Sequence, residues 1–216
     1  MKKAVPPSPA PVTPLKSYHH GDLRRSLLDA ALGLVASDGV QGFTLREAAR
    51  AAEVSHNAPY RHFPSRTHLL IELAIEGQGL LHTALQTAVA RTTDHRDRII
   101  RLGVAYMEFA ISHTAYFRVM FSSEVAGHRT AELTAAQSTT FDFFEGELLS
   151  AEQAGLLRRG SVPQHALVGW AALHGSAMLV LDGVLDNTAV GARRKPREIA
   201  KLVIESLLVG IQARLT

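Results

Sequence analysis

Apolar residues recur along this chain at the spacing of helices, not strands. Leu27, Leu28, Ala31, Leu34 and Val35 share one face of a helix that opens near Asp22, a capping residue. Gly39 ends it, because glycine accepts the left-handed backbone required just past a helix end. Thr44 and Glu47 have the separation of a capping box, so a second, short helix is predicted from Leu45. Its Ala48, Ala49, Ala51 and Ala52 leave it slender enough for a neighbour to approach closely. Ser55 is placed to cap a third short helix through about His62, where Pro59 is tolerable only because it lies near the first turn; Pro64 ends it. Ser65 caps a fourth, running past Leu69, Leu70, Leu73 and Leu80 toward Ala90.

The helical period continues through Ile99, Leu102, Tyr106, Phe109 and Ile111, then over 117–121 and 133–149. Pro163 and Pro196 suit the first turns of two more helices, over 164–185 and 197–215. No strand-like alternation and no internal repeat interrupts this pattern, which predicts an all-α fold of about nine helices. Residues 1–17, carrying Pro6, Pro7, Pro9, Pro11 and Pro14, read as a disordered tail. A small helical unit over 18–66 and a larger helical domain over 67–216 follow.

Composition narrows the function. With 46% hydrophobic and 20% charged residues the chain is globular. Cysteine is absent, which excludes disulfides, thiolate metal sites and cysteine nucleophiles. The N-terminus lacks the apolar core of a secretion signal, and the most apolar stretch, 166–181, is short for a membrane span and carries His174. A cytoplasmic protein without a membrane partner is expected. No zinc-protease, phosphate-loop or nucleophile-elbow motif is present, so neither an enzyme nor a cofactor is expected. His19 and His20 lack a third ligand at helical or hairpin spacing, so no metal is expected either. Residues 1–66 hold nine Lys or Arg against five Asp or Glu, a net +4, whereas the remainder carries −1. The positive end is where a polyanion would bind, although a solvated face explains the charge equally well.

The segment 44–66, TLREAARAAEVSHNAPYRHFPSR, then carries the function. Two short helices joined by a tight turn suit a helix-turn-helix, with His56, Asn57 and Ala58 placed to meet base edges and Val54 and Phe63 as apolar anchors. Such a pair reads few base pairs, so two copies on a palindrome are expected. The most apolar faces of the last two helices, with Ala166, Gly169, Leu173, Leu207, Leu208 and Ile211, are the candidate homodimer interface, the alternative being an internal core. Tyr106, Phe109, Phe117, Met120, Phe141, Phe144 and Trp170 either line an apolar cavity or fill a core, and His82, His113, His174 and Asp182 are candidates for orienting a ligand there.

From Tyr18 to Leu81 the chain resembles the DNA-binding domain of the TetR family. The resemblance is carried by Ser37, Asp38, Gly39, then Phe43, Thr44, Leu45, Arg46, Glu47, Ala48, Ala49, then Val54, Ser55, and by Tyr60, Arg61, His62, Phe63, Pro64, Ser65. Trp170, His174 and Gly175 further resemble the branch named for Trp, His and Gly. The resemblance implies phosphate contacts from Thr44, Tyr60, His62 and Arg66, and base contacts from His56, Asn57 and Ala58. Ser55 and Arg61 share that surface. Arg46 either adds a backbone contact or is a solvated helix residue. Lys16, Tyr18, His19 and His20 form either an arm over the DNA or an incidental tail. Arg66 replaces the usual family Lys, and Pro59 a frequent Leu. Also implied is a sequence-specific regulator, a repressor by default, released from a palindromic double-stranded operator when a small apolar effector shifts the fourth helix. A non-specific architectural DNA-binding protein is the alternative, and an all-α enzyme a remoter one.

Overall fold

The computed structural model describes residues 20–160, 162–189, 191 and 193–211, with side chains from Leu23 to Gly210 in those ranges. The Pro-rich tail, Lys16, Tyr18 and His19, and the side chains of His20, Asp22 and Ile211, lie outside what is described. The described residues form nine α-helices and two single 3₁₀ turns, with no strand among them.

Helix α1 (His20–Asp38) buries Leu23, Leu27, Leu28, Ala31 and Val35 and ends at Gly39. In α2 (Leu45–Ala51) the capping box forms: the Thr44 hydroxyl oxygen accepts from the Glu47 N–H, and the Glu47 carboxylate accepts from the Thr44 N–H at 2.8 Å. After a 3₁₀ turn at Pro59–Arg61 comes α3 (Arg66–Val89), whose first turn Ser65 caps by accepting the His68 N–H. Its 24 residues span about 36 Å at 1.5 Å per residue. The rest comprises α4 (His95–Ser112), α5 (Thr114–Met120), α6 (Ser123–Ala126), α7 (Ala131–Gln153), α8 (Val162–Leu181) and α9 (Pro196–Ile211). Helix α8 stops four residues before the predicted end. Gly183 takes φ +67° there, its N–H bonds Val180 O, and the Val184 N–H bonds Leu179 O, which together close the helix.

Helix α3 belongs to both halves of the molecule. Its early Leu69, Leu70 and Leu73 are fully buried and join the same core as Leu27, Phe43 and Phe63. Farther along, α3 packs against α4, α5 and α7, while α4 packs on α7, α8 and α9. Ion pairs from Arg24 to Glu72 and from Arg25 to Glu76 (2.8 Å) hold α1 against α3. At the far end Arg98 grips Glu147 of α7 through Nε (2.7 Å) and Nη2, and donates to the carbonyls of Val89 and Thr92. Glu147 is buried, and its carboxylate holds the Arg98 guanidinium above its ordinary pKa. No helix among the described residues is long and apolar enough to cross a membrane.

Candidate nucleic-acid interface and effector cavity

The turn after α2 is tight. Val54 N–H bonds Ala49 O (3.0 Å) and Glu53 N–H bonds Arg50 O (3.1 Å), which leaves Glu53 with left-handed backbone at φ +55°. A third α-helix was expected from Ser55, but a bare turn leads instead to the single 3₁₀ turn. An α-helix through this point needs the N–H of residue 59 to reach Ser55 O, and Pro59 has no N–H. Shorter-range bonds replace it: Ala58 N–H to Ser55 O and His62 N–H to Pro59 O, both 2.9 Å. The amphipathic arrangement survives. Pro59 and Phe63 are buried, Val54 and Ala58 pack against the core, and Ser55, His56, Asn57, Tyr60 and Arg61 are exposed.

The cationic and polar candidates separate into two groups. Arg46 and Arg61 are exposed and form no ion pair with the described residues. Thr44 is exposed, but its hydroxyl donates to Glu47 (2.9 Å), and this contact with the Thr44 N–H holds the Glu47 carboxyl below its ordinary range. His62 is half-buried against Phe63, and its Nε2 is buried without a hydrogen-bond partner among the described residues. Arg66, expected on phosphate, is turned inward. Its guanidinium donates to Val40 O and Gln41 Oε1 (3.1 Å), pairs with Glu124 of α6, and lies 5.2 Å from the Phe43 ring centre. Glu124 also accepts from the Thr67 hydroxyl (2.8 Å). With Arg24 and Arg25 likewise paired, much of the basic excess of this end braces the fold.

A cavity of about 470 Å³ opens between α3, α4, α7 and α8. The structure brings Tyr106, Met120, Phe141, Phe144 and Trp170 together on its wall. Phe109 and Phe117 fill the core, His113 ends α4 stacked on Phe109 (4.9 Å), and His82 lies against Phe143 (5.4 Å). Asp182 pairs with Arg118 away from the cavity (2.8 Å). His174 stands one layer back, where the Tyr106 hydroxyl meets its Nδ1 at 2.9 Å. Burial pushes the Tyr106 phenol up and the His174 imidazole down, so both are neutral near pH 7, and the phenol donates to the ring nitrogen. The other ring faces of His174 meet Phe117 and Phe121. Sequence reasoning missed Gln78, Phe121 and Thr140, which also line the cavity. For Gln78 a signal existed: it shares the inward stripe of α3 with Leu81 and Leu85.

Residues 27–73 match the family model for bacterial regulatory proteins of the tetR family, and residues 99–207 match the tetracycline repressor-like C-terminal domain. The chain belongs to the TetR family. Its first part is 37% identical over 57 residues to the HTH-type transcriptional repressor KstR of Rhodococcus jostii, a match spanning 26% of this chain and 27% of the repressor. A protein of unknown function from Rhodococcus sp. RHA1 superposes with a TM-score of 0.78 at 33% identity, over 92% of this chain and all of that one. The regulator AibR, solved with isovaleryl coenzyme A and operator DNA, shares the fold at a TM-score of 0.67 and 18% identity, over 86% of this chain and 98% of AibR.

In this TetR-family chain the last two helices face differently from expectation. Ala166, Gly169, Leu173 and Leu208 are buried within the protomer, and Leu207 is half-buried. Leu173 lines the cavity, and a methyl added at Gly169 would lie 3.6 Å from Phe144 Cζ. The large exposed apolar residues of α8 and α9 are instead Leu167, Val168, Trp170, Leu179, Leu202 and Val209, the last 74% exposed.

Proposed function

We propose that this TetR-family chain is a cytoplasmic transcriptional repressor that binds a palindromic operator as a homodimer and leaves it when an apolar effector fills the cavity. The single observation that carries this reading is the Ser55–Phe63 segment, whose outward Ser55, His56, Asn57, Tyr60 and Arg61 all carry hydrogen-bonding groups while Pro59 and Phe63 anchor it in the core. On this proposal Ser55, His56 and Asn57 face base edges in the major groove, Ala58, expected there too, packs inward as an anchor, and Thr44, Tyr60, His62, Arg46 and Arg61 lie along phosphates. Arg66 is a brace and not a phosphate ligand.

Two copies are needed because one such unit reads few base pairs. Leu202 and Val209, seven residues apart on α9, together with Leu167 and Val168 of α8, form the pairing face. The domains divide near residue 66, where α3 begins. That helix carries Arg66 and Thr67 at the DNA-binding end and Gln78, Leu81 and Leu85 on the cavity wall, so filling the cavity moves one rigid rod shared by both sites. The complex of AibR with a small molecule and operator DNA supports such a pairing of ligands. Of the three residues that resemble the Trp-His-Gly branch, Trp170 is on the cavity wall and His174, one turn along α8, stands behind it, both meeting Phe121.

Selection of bound duplexes from a random pool at physiological salt tests the proposal. A dyad with half-sites about 34 to 36 Å apart, or multiples of one turn, is the expected product. Enrichment of no common sequence would favour an architectural DNA-binding protein instead.

A further inference from the structure

Resting on the proposal that the cavity is the effector site, we infer that it selects an uncharged, ring-bearing molecule with one hydrogen-bonding group, read by Gln78, and rejects anions. Among the described residues the lining holds no Lys, Arg or His. A carboxylate, sulfonate or phosphoester entering it would lose its hydration and gain no cationic partner. Tyr106 offers little relief, because its hydroxyl already serves His174. The one acidic group on the lining is Asp142, exposed at the mouth on α7 and without a hydrogen bond or ion pair among the described residues. Its field disfavours anions further.

Toward the interior the cavity meets Gln78, only 6% exposed, whose side-chain amide has no partner among the described residues. The neighbouring Thr140 hydroxyl is occupied, donating to Ala136 O at 3.2 Å. That amide borders the cavity, so an occupant with a hydroxyl, carbonyl or amine N–H gains by pairing with it, whereas a wholly apolar occupant would cover it and leave it unmatched. The walls suit flat rings: Phe121, Phe141, Phe144 and Trp170 surround the space, with Phe141 edge-on to Trp170 at 6.3 Å. An organic cation is the competing occupant. Asp142 favours it weakly, since an exposed carboxylate is screened by water and salt, and the inner polar group is an amide and not an acid.

The test is a fluorescence titration of the full chain, without DNA, using two dyes of one ring skeleton. N-phenyl-1-naphthylamine is uncharged, and 8-anilinonaphthalene-1-sulfonate adds a sulfonate. The neutral dye is expected to bind one per chain, at least about tenfold more tightly than the sulfonate, given the cost of an unpaired buried charge. Gln78→Leu should weaken the neutral dye about fivefold or more at an unchanged melting temperature, the loss expected for one hydrogen bond. Gln78→Met serves if the Leu variant does not fold. Equal or tighter sulfonate binding, no binding of either dye, indifference to Gln78, or displacement of the neutral dye by an equimolar aromatic cation, tetraphenylphosphonium, would each overturn the inference. Because DNA is absent, failure of the regulator reading leaves this result standing. Conversely, a reversed charge preference overturns only the ligand class.

Discussion

Tyr106 and His174 satisfy each other in the interior, and the pair makes the fold sensitive to acid. Burial lowers the His174 pKa, and burial, ahead of the nearby Arg158 charge, lowers that of His165. The unfolded chain therefore takes up protons below about pH 6.5 that the folded chain refuses. Stability should be level above pH 7 and fall as pH drops from 6.5, until the lowered folded values are reached. Urea unfolding at pH 7.5 and 5.5 checks this, and equal midpoints would contradict it. Tyr106→Phe removes the donor to His174 Nδ1 and should cost about 1–2 kcal/mol. Arg66 gives a second prediction at this scale. Because its guanidinium is held by Val40, Gln41 and Glu124, Arg66→Ala should leave the slope of log affinity against log salt unchanged while lowering stability. A slope reduced by roughly one unit would return Arg66 to the phosphates. Its inward turn was hidden from the sequence, because Glu124 lies 58 positions away and no local pattern links the two. Tyr106, Phe141 and Trp170 could be read from the sequence only as either wall or core, and they line the cavity. Phe109 and Phe117 carry the same signal yet fill the core, because period alone does not say which side of a crowded helix meets empty space.

Helix starts were legible wherever a cap was local, as at Thr44, Ser65 and the prolines of α8 and α9. Elements failed where one backbone atom decided the outcome. Pro59 lacks the N–H that would continue an α-helix from Ser55, so the segment from Ser55 to His62 is held by its anchors and mainly by i→i+3 bonds instead of a regular ladder. Glu53 is the other such atom-level decision. Its left-handed backbone suits glycine, and Glu53→Gly should stabilise the chain by about 0.5–1 kcal/mol, the relieved strain less the added chain entropy. A melting temperature that falls in that variant would show that the Glu53 side chain contributes more than its strain costs.

At the scale of the molecule, α3 links the DNA-facing end to the cavity, and α8 and α9 present an apolar face without a partner in the protomer. Leu202→Glu with Val209→Glu places charge on that face and touches no buried residue. The doubly substituted chain should sediment as a folded monomer and bind an operator at least about 100-fold more weakly, having lost one of two half-sites. A dimer that persists would move the pairing surface elsewhere. The central claim, that the tip from Ser55 to Tyr60 reads a DNA groove, is tested most directly by discrimination. The chain and a variant with Ser55, His56, Asn57 and Tyr60 all changed to Ala are titrated onto the selected dyad and onto a scrambled duplex of equal length at one salt concentration. The account predicts that the native chain prefers the dyad by about a thousandfold or more, and that the variant, with unchanged helix content and dye binding, has almost no preference. A variant that still picks out the dyad as strongly as the native chain would contradict it.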